Sequence, residues 1–284
     1  MTPEAVVQAE GITVGFGGVV AVDDASLTAY EGEMLSLIGP NGAGKTSLLN
    51  AISGAVPLRS GRVTFEGRDI TSVPLHRRVH LGIARTFQGV ELFPSLNTVD
   101  NLVIGRHHLM RTGVLSGGAF WGRARREEIE HRRRVEEIIR FLELEPYRTE
   151  PVGSLPFGVQ KILGLARALC AEPRLLLLDE PASGLNHEER RDLARFMLRI
   201  KYELRTTMIW VEHDVRMVTD LCDRVVALQD GRKIGEGSAE HVLALPAVQQ
   251  SFLGITEAEA VDAADELPIE TEVLTRETTT TETK

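Results

Sequence analysis

Nine consecutive residues, Gly39-Pro40-Asn41-Gly42-Ala43-Gly44-Lys45-Thr46-Ser47, restrict this chain more than any other stretch. Gly39, Gly44, Lys45 and Thr46 fill the spacing G-x-x-x-x-G-K-[ST]. The run Met34-Leu35-Ser36-Leu37-Ile38 before it reads as a buried strand, and Ser47-Leu48-Leu49-Asn50-Ala51-Ile52 after it has helical composition. Strand, glycine-rich turn and helix form the setting this motif needs. Glycines allow a tight turn that aims successive N–H groups inward, and those groups, with the helix N-terminus, bind phosphate oxygens. Lys45 is placed to reach the β- and γ-phosphates and the Thr46 hydroxyl to bind Mg²⁺. Asn41, Gly42 and Ser47 complete the loop expected to line a nucleoside triphosphate.

Composition limits the alternatives. With 284 residues, 43% of them apolar, the chain has enough material for one large domain or a domain with a lobe. Nine acidic and two basic side chains in residues 256–284 put −7 of the net charge of −9 there. The nearly neutral remainder gives no reason to expect broad nucleic-acid binding. That acidic, threonine-rich segment is expected to be disordered and dispensable for ATPase activity. Cys170 and Cys222 lie in apolar or helical contexts with no metal-ligand or disulfide spacing, which fits a reducing compartment. The start MTPEAVVQAE lacks the basic and apolar regions of a signal peptide. No apolar run approaches the roughly 20 residues needed to span a bilayer, so any membrane crossing would fall to other chains.

Short strands are expected over residues 6–14, 19–22 and 23–29, before the first long helix, which points to a mixed sheet. Helices are expected over residues 99–109, 123–144, 161–171 and 188–203, and Gly54 is expected to end the helix after the glycine-rich loop. Residues 111–122 read as an exposed glycine-rich insert.

Hydrolysis needs more than a phosphate cradle. Leu175-Leu176-Leu177-Leu178 reads as a buried strand that delivers two carboxylates, Asp179 and Glu180, from the sheet. Asp179 is suited to the Mg²⁺ shell, and Glu180 to orienting or deprotonating the attacking water. Gln88 and His213 follow strand-like segments and are candidates for sensing the γ-phosphate, with Gln88 also able to offer its amide oxygen to Mg²⁺. Composition alone leaves both equally well as ordinary polar residues. Phe16, on a glycine-rich turn, either stacks on adenine or is a half-packed aromatic.

The ordered set of residues 39–46, Gln88, residues 155–160, Asp179-Glu180, Ser183-Gly184-Leu185-Asn186 and His213 resembles the ATP-binding subunits of ABC transporters, over essentially residues 5–255. Arg85-Thr86-Phe87-Gln88, Leu92-Phe93-Pro94, Glu212-His213-Asp214, the insert and Ser251-Phe252-Leu253-Gly254 look most like the ATPases of branched-chain amino acid importers. The resemblance implies an α/β fold: a RecA-like P-loop NTPase core with an antiparallel β lobe and a helical lobe at about residues 95–165. It implies ATP and Mg²⁺ as cofactors, with Glu180, His213 and Gln88 catalytic and Thr46, Gln88 and Asp179 around the metal. Phe16 maps to the adenine-stacking aromatic, and Asn186 to a loop crossing the dimer interface. Two such subunits pair head to tail, so that Gly158 and Gln160 of one serve the ATP of the other. Two integral membrane permease subunits, docking near residues 88–94, and an extracytoplasmic substrate-binding protein complete the implied assembly at the cytoplasmic face of the membrane. Other ABC-type roles are a lipid or hydrophobic-compound transporter and a soluble ATP-dependent assembly or regulatory protein.

One departure stands out. Where the usual signature is Leu-Ser-Gly-Gly-Gln, this chain has Leu155-Pro156-Phe157-Gly158-Val159. Pro156 removes the serine hydroxyl and a backbone N–H, and Val159 replaces glutamine, with Gln160 beside it. The expectation is that this face serves its ATP less well than a serine-containing face, so that a partner supplies the better signature in a heterodimer.

Overall fold

The computed structural model describes residues 4–86, 91–110 and 123–253. Gln88, the 111–122 insert, Gly254 and the acidic segment lie outside them. Two sheets organise the chain. Strands β1 (Ala5–Phe16), β2 (Val19–Tyr30), β4 (Ser60–Phe65) and β5 (Arg68–Asp69) form an antiparallel sheet of order β2-β1-β4-β5. The second has order β10-β9-β3-β8-β7-β6, from β3 (Met34–Ile38), β6 (Ile83–Arg85), β7 (Leu175–Asp179), β8 (Thr207–Val211), β9 (Arg224–Gln229) and β10 (Arg232–Gly237). It is parallel except for β10, which returns from β9 through Asp230-Gly231, both at positive φ (48° and 80°) as a tight hairpin requires.

Burial patterns separate the two sheets. Every residue of β3, β7 and β8 is buried, as a parallel sheet covered on both faces demands. Side-chain alternation then sends Leu175 and Leu177 to one core and Leu176 and Leu178 to the other. The first core lies under the antiparallel sheet and helix α1 (Lys45–Ser53). The second lies under helices α3 (Thr98–Gly105), α4 (Arg123–Phe141), α5 (Phe157–Leu169), α6 (His187–Leu204) and α7 (Val215–Leu221). Of these, α3, α4 and α5 pack on one another as a helical lobe. A short helix α2 (Leu75–Val79) precedes β6, and α8 (Ala239–Leu243) packs on β9 and β10.

Several boundaries differ from the sequence reading. Residues 19–22 and 23–29 belong to one strand, β2, which runs through Asp24 at φ 53° while the register against β1 shifts. Helix α5 begins at Phe157, a full turn before residue 161, because Pro156 sits at the N-cap, where its extended backbone starts a helix without breaking it. Helix α3 stops at Gly105 and yields to a 3₁₀ turn, His107–Leu109. Gly54 ends α1 in the left-handed conformation, as read from sequence.

Candidate nucleotide site

The carboxyl ends of β3, β7 and β8 lie side by side, and each leads directly into a predicted site segment. Such an edge is where open parallel sheets bind ligands. From β3 the chain enters the glycine-rich loop. A Cβ on Gly39 would lie 2.1 Å from the Leu228 carbonyl oxygen, and one on Gly44, at φ 97°, would lie 2.3 Å from that of Ala21. Only glycine fits either position, so the loop is held tight against the strands beside it. Lys45 is buried, and its Nζ donates to the carbonyls of Gly39 (2.7 Å) and Pro40 (2.9 Å), curled over the loop that a phosphate would fill. Burial lowers its pKa, against the opposing pull of Glu180 and Asp179.

From β7 come the two carboxylates. The Thr46 hydroxyl donates to Asp179 Oδ1 at 3.1 Å, bringing together the two oxygen donors expected to hold a cation. Mg²⁺ takes one or two protein oxygens and fills its octahedron with phosphates and water. The donor set fits the cation. Asp179 Oδ2 also pairs with Arg85 Nη2 at 3.0 Å, both side chains being almost wholly buried. Arg85 reaches on to Asn50 Oδ1 and to Ser53 Oγ (3.2 Å), so it joins the end of β6 to the helix that carries Lys45 and Thr46.

Glu180 turns the chain sharply after β7. Its φ of 48° is unusual for a residue with a side chain, and its amide donates to the Val211 carbonyl at 3.0 Å. The turn aims the carboxylate at β8, where Glu180 Oε1 meets His213 Nε2 at 2.9 Å. Two side chains proposed separately from the sequence, Glu180 for the attacking water and His213 for the γ-phosphate, are thus in hydrogen-bond contact. Thr86, at the carboxyl end of β6, is tied to β7 through its amide and the Leu177 carbonyl (2.9 Å), two residues before Gln88.

The remaining candidates lie around this centre. Phe16, at the end of β1, is about half exposed (52%), its ring available as a stacking surface. Asn41 and Gly42 are exposed on the outside of the loop, and Ser47 is half-buried in the first turn of α1. Gly158 lies in the first turn of α5, where a Cβ would meet the Glu189 carboxylate at 2.2 Å. Gln160 is turned inward: its amide donates to the Leu155 carbonyl at 2.8 Å, and it lines a cleft of about 170 Å³ with Lys161, Arg85, Asp179 and Pro181. Asn186 caps α6, its Oδ1 accepting from the amides of Glu188 and Glu189 while Glu189 returns to the Asn186 amide.

Pro156 is the N-cap of α5, and the first ladder bond runs from the Gln160 amide to the Pro156 carbonyl. The free N–H groups of this helix start belong to Phe157, Gly158 and Val159, and Pro156 lacks both the fourth N–H and a hydroxyl. Sequence reading gave no role to Arg85, Lys161 or Glu212. Arg85 lies 94 positions from Asp179 in sequence, so no local pattern marks that pair.

Comparison with known proteins agrees with this geometry. A sequence profile described as ABC transporter matches residues 22–183. The high-affinity branched-chain amino acid transport ATP-binding protein BraF of Pseudomonas aeruginosa is 33% identical over 249 residues, covering 88% of this chain and 98% of that protein. Its counterpart LivG of Escherichia coli is 32% identical over 244 residues, covering 86% and 96%. An Fe(3+) ion import ATP-binding protein, FbpC of Streptomyces coelicolor, is 35% identical over 271 residues but is covered over only 73% of its length. Among solved structures, a nucleotide-free ATP-binding cassette from an ABC transporter superposes with a TM-score of 0.77 at 29% identity, covering 89% of this chain and 100% of that one. The ADP conformation of an ATP-binding cassette gives the same TM-score and identity, covering 88% and 99%. With the strand-end site, the family profile and relatives matched over nearly their whole length, the chain belongs to the ABC transporter family, as one of its ATP-binding, ATP-hydrolysing subunits.

Proposed function

We propose that this subunit powers the import of branched-chain amino acids or closely related small compounds across a membrane that other chains span. The substrate class is supported by the two relatives named for it, which this chain matches over 96–98% of their length, against 73% for the iron-import relative. Among the described residues no helix is long and apolar enough to cross a membrane. The assembly this implies is a second ATPase subunit, identical or homologous, two permease subunits and an extracytoplasmic binding protein, with this chain at the cytoplasmic face. Residues 1–255 would act as the ATP-binding domain, with residues 256–284 as an appendage to it.

One observation carries the hydrolytic reading: Lys45, the Thr46–Asp179 contact at 3.1 Å and the Glu180–His213 contact at 2.9 Å meet at one sheet edge. On ATP binding, Lys45 exchanges its bonds to the Gly39 and Pro40 carbonyls for phosphate oxygens, and the loop amides take the remaining negative charge. Thr46 and Asp179 would hold Mg²⁺, which neutralises phosphate charge when bound. Gln88 is assigned to the same cation. Glu180 orients the attacking water and accepts its proton, and His213 holds the Glu180 carboxylate and contacts the γ-phosphate. Phe16 stacks on adenine. Across the dimer, the first-turn amides of α5 at Gly158, with Gln160 behind them, face the partner's ATP.

The direct test is Glu180→Gln in the assembled complex. ATP binding should persist while turnover falls about 100-fold or more. Retained turnover would remove Glu180 from the chemistry.

A further inference from the structure

Glu212 stands between β8 and His213 and has no part in the site so far. It is only 5% exposed, at the end of a strand whose last four residues, Met208, Ile209, Trp210 and Val211, are fully buried and apolar. Its Oε1 accepts from the backbone amides of His213 (2.9 Å) and Asp214 (3.3 Å). Its Oε2 is enclosed without a hydrogen-bond partner. Burying a carboxylate with half its acceptor capacity unused opposes folding. An apolar residue would continue β8 more favourably, so packing does not account for Glu212.

What the side chain does is hold backbone. One carboxylate oxygen gathers two successive amides of the loop that carries His213. Asp214 anchors the far side of that loop, its Oδ1 accepting from the amides of Arg216 and Met217 at the start of α7 and its Oδ2 facing Arg190 of α6 at 3.3 Å. From α5, Lys161 adds a cation whose field reaches both Glu180 and Glu212. The His213 backbone is thus fixed on both sides, and the imidazole projects from it to Glu180.

We propose that Glu212 is a positioning residue for ATP hydrolysis: its carboxylate fixes the backbone amides of His213 and Asp214, so that the His213 imidazole meets Glu180 at hydrogen-bond distance. The proposal rests on the reading that Glu180 and His213 perform the hydrolytic step.

The test compares Glu212→Met, Glu212→Gln, His213→Ala and the Glu212→Met/His213→Ala double variant of the full chain in its assembled complex, reading kcat, KM for ATP and thermal stability. Methionine fills the space without an acceptor. Glu212→Met should lower kcat about tenfold or more with KM within about twofold, while melting no earlier than the parent. Glu212→Gln keeps a carbonyl oxygen for the two amides and should keep at least about a third of kcat. In the His213→Ala background, Glu212→Met should add less than about a twofold loss, because both act through one contact. Unchanged kcat in Glu212→Met beside a deep loss in His213→Ala would overturn the proposal alone. So would losses that multiply in the double variant. A Glu212→Gln loss as deep as that of His213→Ala would overturn it too, whether or not Glu212→Met folds well. Full turnover in His213→Ala would instead defeat the underlying hydrolytic reading, and the proposal with it.

Discussion

Lys45 shows most clearly how a residue's chemistry depends on its place. Burial lowers its pKa, yet two carboxylates favour the charged form and two loop carbonyls accept its protons. Those bonds are the ones a phosphate would replace. Lys45→Ala should therefore weaken ATP binding about tenfold or more while leaving the melting temperature nearly unchanged, since nothing in the core depends on the ammonium; nucleotide titration beside thermal melting reads both. Burial raises the Glu212 carboxyl from its ordinary 4.5. The folded state thus prefers the protonated acid, so the stability it contributes is complete below about pH 4.5 and is lost as pH rises through the raised value. Glu212→Gln should accordingly gain stability over the parent as pH rises across that window, which melting curves at pH 5 and 8 test. The glycines, Lys45, Thr46, Asp179 and Glu180 were legible in the sequence because chemistry and spacing mark each of them, whereas His213 took its role from the family resemblance. Arg85 was not legible, because Asp179 reaches it only once β6 and β7 lie side by side.

At the scale of elements, the strand-loop-helix unit of β3 and α1 depends on a residue outside it. Arg78 is 1% exposed and has its guanidinium bonded to the carbonyls of Ala51 and Ile52 at the end of α1 and of Ile70, Thr71 and Val73 in the loop before α2. A cation at a helix C-terminus complements the partial negative charge there. Burial lowers the pKa of Arg78 to about 10, so it stays charged at neutral pH. Arg78→Met should leave those carbonyls unsatisfied and cost roughly 3–5 kcal/mol, read as a shift in the urea midpoint at constant slope. Long, patterned elements such as β7 and α6 were readable almost to the residue. The start of α5 was not: proline and glycine in Pro156-Phe157-Gly158 suggest a loop, although proline at an N-cap also opens a helix. The division into two sheets followed from the family resemblance and not from local pattern, since β2 alternates like any half-buried strand and nothing local says which sheet it joins.

For the whole molecule, the candidate residues fall on two separate faces. The glycine-rich loop, both carboxylates and His213 share one sheet edge, whereas the α5 tip that would face a partner's ATP keeps its amide donors and lacks the serine hydroxyl. Pro156→Ser should therefore raise turnover modestly, by about two- to tenfold, as one restored hydrogen bond to phosphate would; equal rates would mean the proline face already serves its ATP fully. The proposed function requires that solute be coupled to hydrolysis. Its most direct test is the ATPase rate of this chain reconstituted in liposomes with its partner ATPase, permease subunits and binding protein, with and without leucine, isoleucine or valine. The prediction is stimulation of the rate by at least one of these amino acids, abolished by Glu180→Gln. A rate indifferent to all three, or stimulated equally in Glu180→Gln, would contradict it.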